Sequence, residues 1–229
     1  YDHLMTDVAP SGHEAQAAAA RAVLAELDAA TPEDATDRVT LAAMRERVGL
    51  ELELHGADEL LGQLNNIASP VQELRDVFDL MPTATPEQWE AVVTRLDALP
   101  DAAAGVTASL RLAASRGRVA ARRQVLACIG QAEQLADPDT SFFTTFVAGP
   151  QAEAAVADAP DADDRRAALA RGAAAARSAY EHLAAFLRDE LLPQAPAEDA
   201  VGAERYRLWS RYFLGAEVDL EETYRWGLQ

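Results

Sequence analysis

Serine–proline and threonine–proline pairs punctuate this chain, and they constrain its fold more than any other feature. Proline has no N–H to donate and its φ is preset for a first helical turn. Thr31-Pro32, Ser69-Pro70 and Thr85-Pro86 therefore each read as a cap followed by a helix start. Apolar residues recur at helical spacing behind each pair: Val39, Leu41, Met44 and Val48, then Val71, Leu74 and Phe78, then Trp89, Val92 and Leu96. Ser11-Gly12-His13-Glu14 has the form of a capping box opening a helix to about residue 30, and Asp219-Leu220-Glu221-Glu222 repeats the form near the other end. Asp101 can cap a further helix through Leu112, stopped at Gly117 in a left-handed conformation, and another helix spans about 121–136. Residues 141–146 are the most strand-like in the chain. With no partner strand in sight, a short apolar helix plugging the core is the preferred reading.

The expected fold is therefore all-α, an irregular multi-helix array whose helices differ too much in length for a solenoid. It reads as a single helical region over 1–229. A helical array fills 1–148, an alanine- and aspartate-rich connection 149–162, and 163–229 holds a long helix to about 192, a linker after Pro193, and two shorter helices.

Charge and composition exclude some partners. The net charge of −18 opposes sequence-independent binding to nucleic acid or to an anionic membrane surface, both of which need a positive field. Every basic residue is arginine, which together with the abundant alanine reads as codon bias rather than function. Arg116, Arg118, Arg122 and Arg123 cluster locally; they suit either a carboxylate or phosphate ligand or a solvated helix junction paired with nearby acids. No apolar run is long enough to span a bilayer. The single cysteine, Cys128, lies in an apolar helical stretch and reads as a buried small hydrophobe. It permits a cytoplasmic location, which is favoured, while a start at Tyr1-Asp2 without methionine is compatible with a removed leader or a missing N-terminal stretch.

The usual catalytic and metal patterns are not met. A zinc site on a helix needs two histidines one turn apart, and Ala17 stands where His13-Glu14 would require the second. Glu-x-x-His pairs for a two-metal bundle fail at Leu52 before His55 and at Ala179 before His182. Glu51, His55 and Glu59 share a helix face at spacings of four, which reads as a polar triad. No nucleophile elbow, phosphate loop or dinucleotide fingerprint is present. No catalytic residue, metal ligand or cofactor is therefore expected within this chain. Two polar segments stand out. Asn65-Asn66-Ile67-Ala68-Ser69-Pro70 places adjacent amides between helices, as ligand contacts or as caps and turns. Tyr206, Arg207, Trp209, Arg211, Tyr212 and Phe213, continued by Tyr224 and Trp226, form an aromatic and arginine-rich face suited to recognition or to packing on another part of the polypeptide.

An ordered set of segments carries a family resemblance: Leu64-Asn65-Asn66-Ile67-Ala68-Ser69-Pro70-Val71-Gln72-Glu73-Leu74-Arg75, Phe78-Asp79-Leu80-Met81-Pro82, Gly117-Arg118-Val119-Ala120-Ala121-Arg122-Arg123-Gln124, residues 180–191, Val201-Gly202-Ala203-Glu204-Arg205-Tyr206, Ser210-Arg211-Tyr212-Phe213-Leu214-Gly215 and 219–227. Together they span nearly the whole chain, which resembles the N-terminal part of the bacterial family catalogued as domain of unknown function 885. The resemblance implies a helical parent about twice this length or more, similar to zinc metallopeptidases of the helical gluzincin type. In such relatives the zinc ligands lie on a His-Glu pair, a Pro-Gly-His-His segment and a Glu-bearing helix of the C-terminal half. None of these motifs occurs here, so no ligand is carried over. The chemistry implied for the parent is metal-activated water attacking an amide, with a glutamate as base. This chain would then supply a cleft wall for a peptide substrate and a packing surface for its partner, the C-terminal half. Asn65, Asn66, Arg75, Tyr206 and Arg211 are the candidate cleft residues. The alternative is a non-enzymatic helical module that binds a protein or anionic partner through its aromatic face or arginine cluster.

Overall fold

A computed structural model describes residues 3–157 and 161–229. Among these residues there are ten α-helices and no strand. The order is α1 (Pro10–Ala29), α2 (Ala35–Gly56), α3 (Pro70–Asp76) with a 3₁₀ turn (Val77–Leu80), α4 (Pro86–Ser115), α5 (Arg122–Ala136), α6 (Phe142–Val147), α7 (Pro150–Val156), α8 (Ala162–Phe186), α9 (Ala203–Leu214) and α10 (Leu220–Gly227). The strand-like segment is helical, as α6, and buries Phe143. None of the described helices is long and apolar enough to cross a membrane.

Two of the three proline-led starts form as the spacing predicts. Ser69 precedes α3, its N–H donating to Gln72 Oε1 at 2.9 Å. Thr85 caps α4 with the equivalent Thr85 N–H to Gln88 Oε1 bond at 3.1 Å. Thr31-Pro32 does not start a helix. α2 begins at Ala35 because Asp34 accepts from the Asp37 N–H at 2.9 Å while Asp37 accepts from Glu33, and a carboxylate is a stronger acceptor than a hydroxyl at the positive end of a helix. α1 likewise begins before Ser11, with Pro10 in its first turn and Asp7 Oδ1 closing a turn on the Ala9 N–H at 3.0 Å.

The break expected at Asp101 is absent too: α4 runs straight through Pro100. An interior proline costs about 3 kcal/mol. Trp89, Val92, Leu96, Leu99, Val106 and Leu110 are all buried on both sides of it, at roughly 1.5–3 kcal/mol each, so packing outweighs the break. The long helix ends differently from its expected run to 192. α8 gives way to a π-helical turn (Leu187–Leu191) and then a 3₁₀ turn (Leu192–Gln194). The stretch 149–162 contains α7, and residues 158–160 of it lie outside the described residues, as do Tyr1 and Asp2.

The chain forms two compact units. The first comprises residues 1–12 and 61–197. Its axis is the pair α4 and α8, with α3, α5, α6 and α7 around them. At the closest approach a methyl on Gly172 would sit 2.8 Å from Leu96 Cβ, so only glycine fits there. An aromatic layer covers one end of the pair: Phe143 meets Phe78 edge-on at 5.8 Å and Tyr180 at 5.7 Å, and Trp89 lies 5.2 Å from Phe146. The buried Tyr180 hydroxyl donates to the Val71 carbonyl at 2.8 Å. Arg95 and Ser109 of α4 fasten the N-terminal segment by donating to the carbonyls of Leu4 (3.0 and 2.7 Å) and Val8 (2.7 Å).

The second unit comprises 13–60 and 198–229. Its apolar core is small, with Ala17 and Leu27 on α1 and Leu50 and Leu54 on α2. α9 and α10 bury no residue at all. Glycines in the left-handed region frame α9, Gly202 at φ 82° and Gly215 at φ 71°, and Asp219 caps α10 by accepting from the N–H groups of Glu221 and Glu222.

Candidate functional site

In the first unit the most elaborate polar construction is the loop 65–69. The Asn65 side chain folds it: Oδ1 accepts from the N–H groups of Ile67 and Ala68 at 2.8 Å each, and Nδ2 donates to the Ala68 carbonyl at 2.6 Å. The Asn65 carbonyl is gripped from below by Gln72 Nε2 at 3.0 Å and Cys128 Sγ at 3.2 Å. Gln124 and Gln131 of α5 clamp Asn66, the first accepting from its N–H at 2.9 Å and the second donating to its carbonyl at 3.0 Å. Gln72 Nε2 also donates to Gln131 Oε1 at 2.6 Å, which ties the clamp together.

Gln124, Cys128 and Gln131 fall at i, i+4 and i+7, so they share one face of α5. Sequence reasoning missed the two glutamines, although a polar stripe on an otherwise apolar helix was the available signal. Cys128 is buried as read, and burial pushes its thiol up to about 11. It therefore serves as a weak hydrogen-bond donor rather than a nucleophile.

Arg75 lies in the same unit but is engaged internally. Its guanidinium sits 4.1 Å over the Phe142 ring and pairs with Asp76 at 3.1 Å and with Asp79. An open groove of about 680 Å³ runs between α4 and α8, with Arg111, Ser178, His182, Phe186 and Glu190 among its lining. Arg111 grips both Glu190 oxygens at 2.9 Å and covers Phe186 at 5.0 Å. That contact holds the Glu190 carboxyl below the usual carboxylate range.

In the second unit the candidates Tyr206 and Arg211 have opposite fates. Tyr206 is exposed. Arg211 is surrounded by acids, bidentate to Glu46 at 2.6 and 2.7 Å and bonded to Glu53 at 3.1 Å, so it fastens α9 to α2. Its hydrogen bond lowers the Glu46 pKa and raises that of Arg211. Arg47 adds a bond to the Tyr212 carbonyl at 2.6 Å and lies 4.7 Å over the Tyr212 ring.

The polar triad read on one face of α2 does not exist. The helix ends at Gly56, Asp58 turns the chain at φ 58°, and Glu59 points inward instead of following His55. Buried there, Glu59 accepts from Arg205 Nε and Nη2 at 2.6 and 2.8 Å and from the Trp209 indole at 2.8 Å. His55 pairs instead with Glu14 at 3.1 Å.

Asn65, Asn66 and Arg75 thus belong to one unit, Tyr206 and Arg211 to the other. Among the described residues no group of three or more His, Cys, Asp or Glu side chains could hold a metal ion, so zinc does not fit the residues present. A family model described as "Bacterial protein of unknown function (DUF885)" matches residues 1–229. No curated protein matches the chain.

Proposed function

The chain belongs to the bacterial family DUF885, and from that premise we propose that it is the N-terminal helical scaffold and cleft wall of a zinc-dependent peptidase or amide hydrolase, with the metal ligands supplied by a C-terminal half. The observation that carries this reading is the face presented by α9 and α10. Tyr206, Phe213 and Leu214 on α9, Tyr224 and Trp226 on α10 and Leu228 just after it are all exposed, and neither helix has a fully buried residue. Clustered large apolar side chains of this kind suit a surface made for further protein. The resemblance of the ordered segments to the helical gluzincin type supplies the chemistry.

Within this reading the chain's own work is to bind and orient. The exposed side chains of the 65–69 loop suit the cleft wall, while Arg75 and Arg211 are each engaged inside their own unit by the contacts already described. A second reading, a non-enzymatic interaction module, draws on the same exposed aromatic face.

Metal content and peptidase activity of the full-length parent, measured beside residues 1–229 alone, separate the two. The first reading expects about one zinc and amide hydrolysis in the parent and neither in 1–229. A metal-free, inactive parent that still captures a protein partner would overturn it in favour of the second.

A further inference from the structure

The loop 65–69 spends an unusual number of side chains on standing still. Asn65, Ser69, Gln72, Gln124, Cys128 and Gln131 all bond to it or to one another beneath it. They satisfy the N–H and carbonyl of both Asn66 and Ala68 and the N–H of Ile67. The exposed groups they leave are few: the Asn66 amide and the Ile67 side chain, which is 81% exposed.

A single exposed aliphatic residue is ordinary on a mobile loop. Here the backbone beneath it is immobilised from two helices, α3 with its cap Ser69 and α5, so the ordering cost of binding has already been met in folding. The exposed groups also have one chemical match. A primary amide offers a donor and an acceptor together, the pair a peptide main chain presents. The isoleucine adds an apolar contact to one side chain. The chain's net charge of −18 disfavours an acidic ligand.

We propose that Asn66 and Ile67 form a pre-organised contact for an extended, non-acidic peptide, with the Asn66 amide pairing to its main chain and the Ile67 side chain packing on an apolar side chain. Asn65 is a positioning residue that shapes the loop and does not touch the peptide. The proposal rests on the cleft-wall reading and narrows it to these two residues.

The test uses the full-length parent carrying Asn66→Ala or Ile67→Asp. Both side chains are exposed, so melting temperature and zinc content are expected to stay at the parental values, while KM for a neutral apolar peptide rises on the order of tenfold and kcat changes little. An unchanged KM, or a fall in melting temperature that accompanies the loss, overturns the proposal and makes the loop a packing surface. An independent arm does not need catalysis: a photo-cross-linking phenylalanine derivative at position 67, irradiated with a tryptic digest of casein. Cross-links to added peptide support the contact, and cross-links confined to the parent's own chain overturn it. Peptide cross-links in a metal-free, inactive parent would leave the contact standing and defeat the hydrolase reading alone.

Discussion

The two units of this protein are held together by different physics. Residues 61–197 are organised by apolar burial: α4 and α8 share a core of leucine, valine and alanine, with Phe78, Phe143 and Tyr180 layered at one end. In the other unit, α9 is fastened to α2 and the turn after it largely by charge, through Glu59 of that turn with Arg205 and Trp209, Glu46 and Glu53 with Arg211, and Arg47 with Tyr212. Burial is non-directional and insensitive to pH, whereas ion pairs are directional and titrate. The second unit should therefore be the one that loosens first and responds to solution conditions.

The comparison is broken most severely by emptying the apolar side. Phe143→Ala removes a fully buried ring from the aromatic layer and is expected to cost about 3–5 kcal/mol in urea unfolding. If the loss is below about 1 kcal/mol, the layer is not the keystone of that unit. Next comes the charged side: Glu59→Gln leaves Arg205 without its ionic partner, at about 2–3 kcal/mol after allowance for the partly exposed guanidinium. Its effect should be confined to α9, seen as faster amide exchange over 203–214 with α4 and α8 unchanged. Tyr180→Phe removes the hydroxyl's bond to the Val71 carbonyl and should cost about 0.5–1.5 kcal/mol without altering the packing.

The pH response is the gentlest probe. The Glu46 carboxyl is lowered by its hydrogen bond to Arg211, so its contribution is present above the ordinary carboxylate value of 4.5 and lost as pH falls through the lower folded value. Acidification from pH 6 to below 4 should release α9 from α2 before the 61–197 core unfolds. Simultaneous loss of both, followed by NMR amide signals, would remove the distinction between the units.

The same division explains what could be read in the sequence. The all-α class and the starts of α3 and α4 were legible because Ser69-Pro70 and Thr85-Pro86 are local devices whose partners, Gln72 and Gln88, stand three residues away. Thr31-Pro32 misled because Asp34 offered a better cap three residues on. Asp101 misled as a cap because burial by α8, distant in sequence, carries α4 through Pro100 and past it. Glu59 was placed on a helix face by extrapolating a spacing of four past a helix that had already ended.

At the candidate site, Asn65 and Asn66 were visible as adjacent amides, but their division of labour was not. It is set by Gln124 and Gln131, some sixty positions away. Arg75 and Arg211 are candidate cleft residues in the sequence; the acids and ring that occupy them come from pairings that only the folded chain makes.

Gly172 has a further consequence. In a chain that places alanine almost everywhere a helix will take it, the facing backbone admits no methyl at this position, because Leu96 Cβ stands 2.8 Å from where it would be. The interaxial distance between the two longest helices of the unit is thus fixed by a single absent carbon. A methyl at Gly172 would meet Leu96, so that side chain or the helix pair would have to shift to admit it.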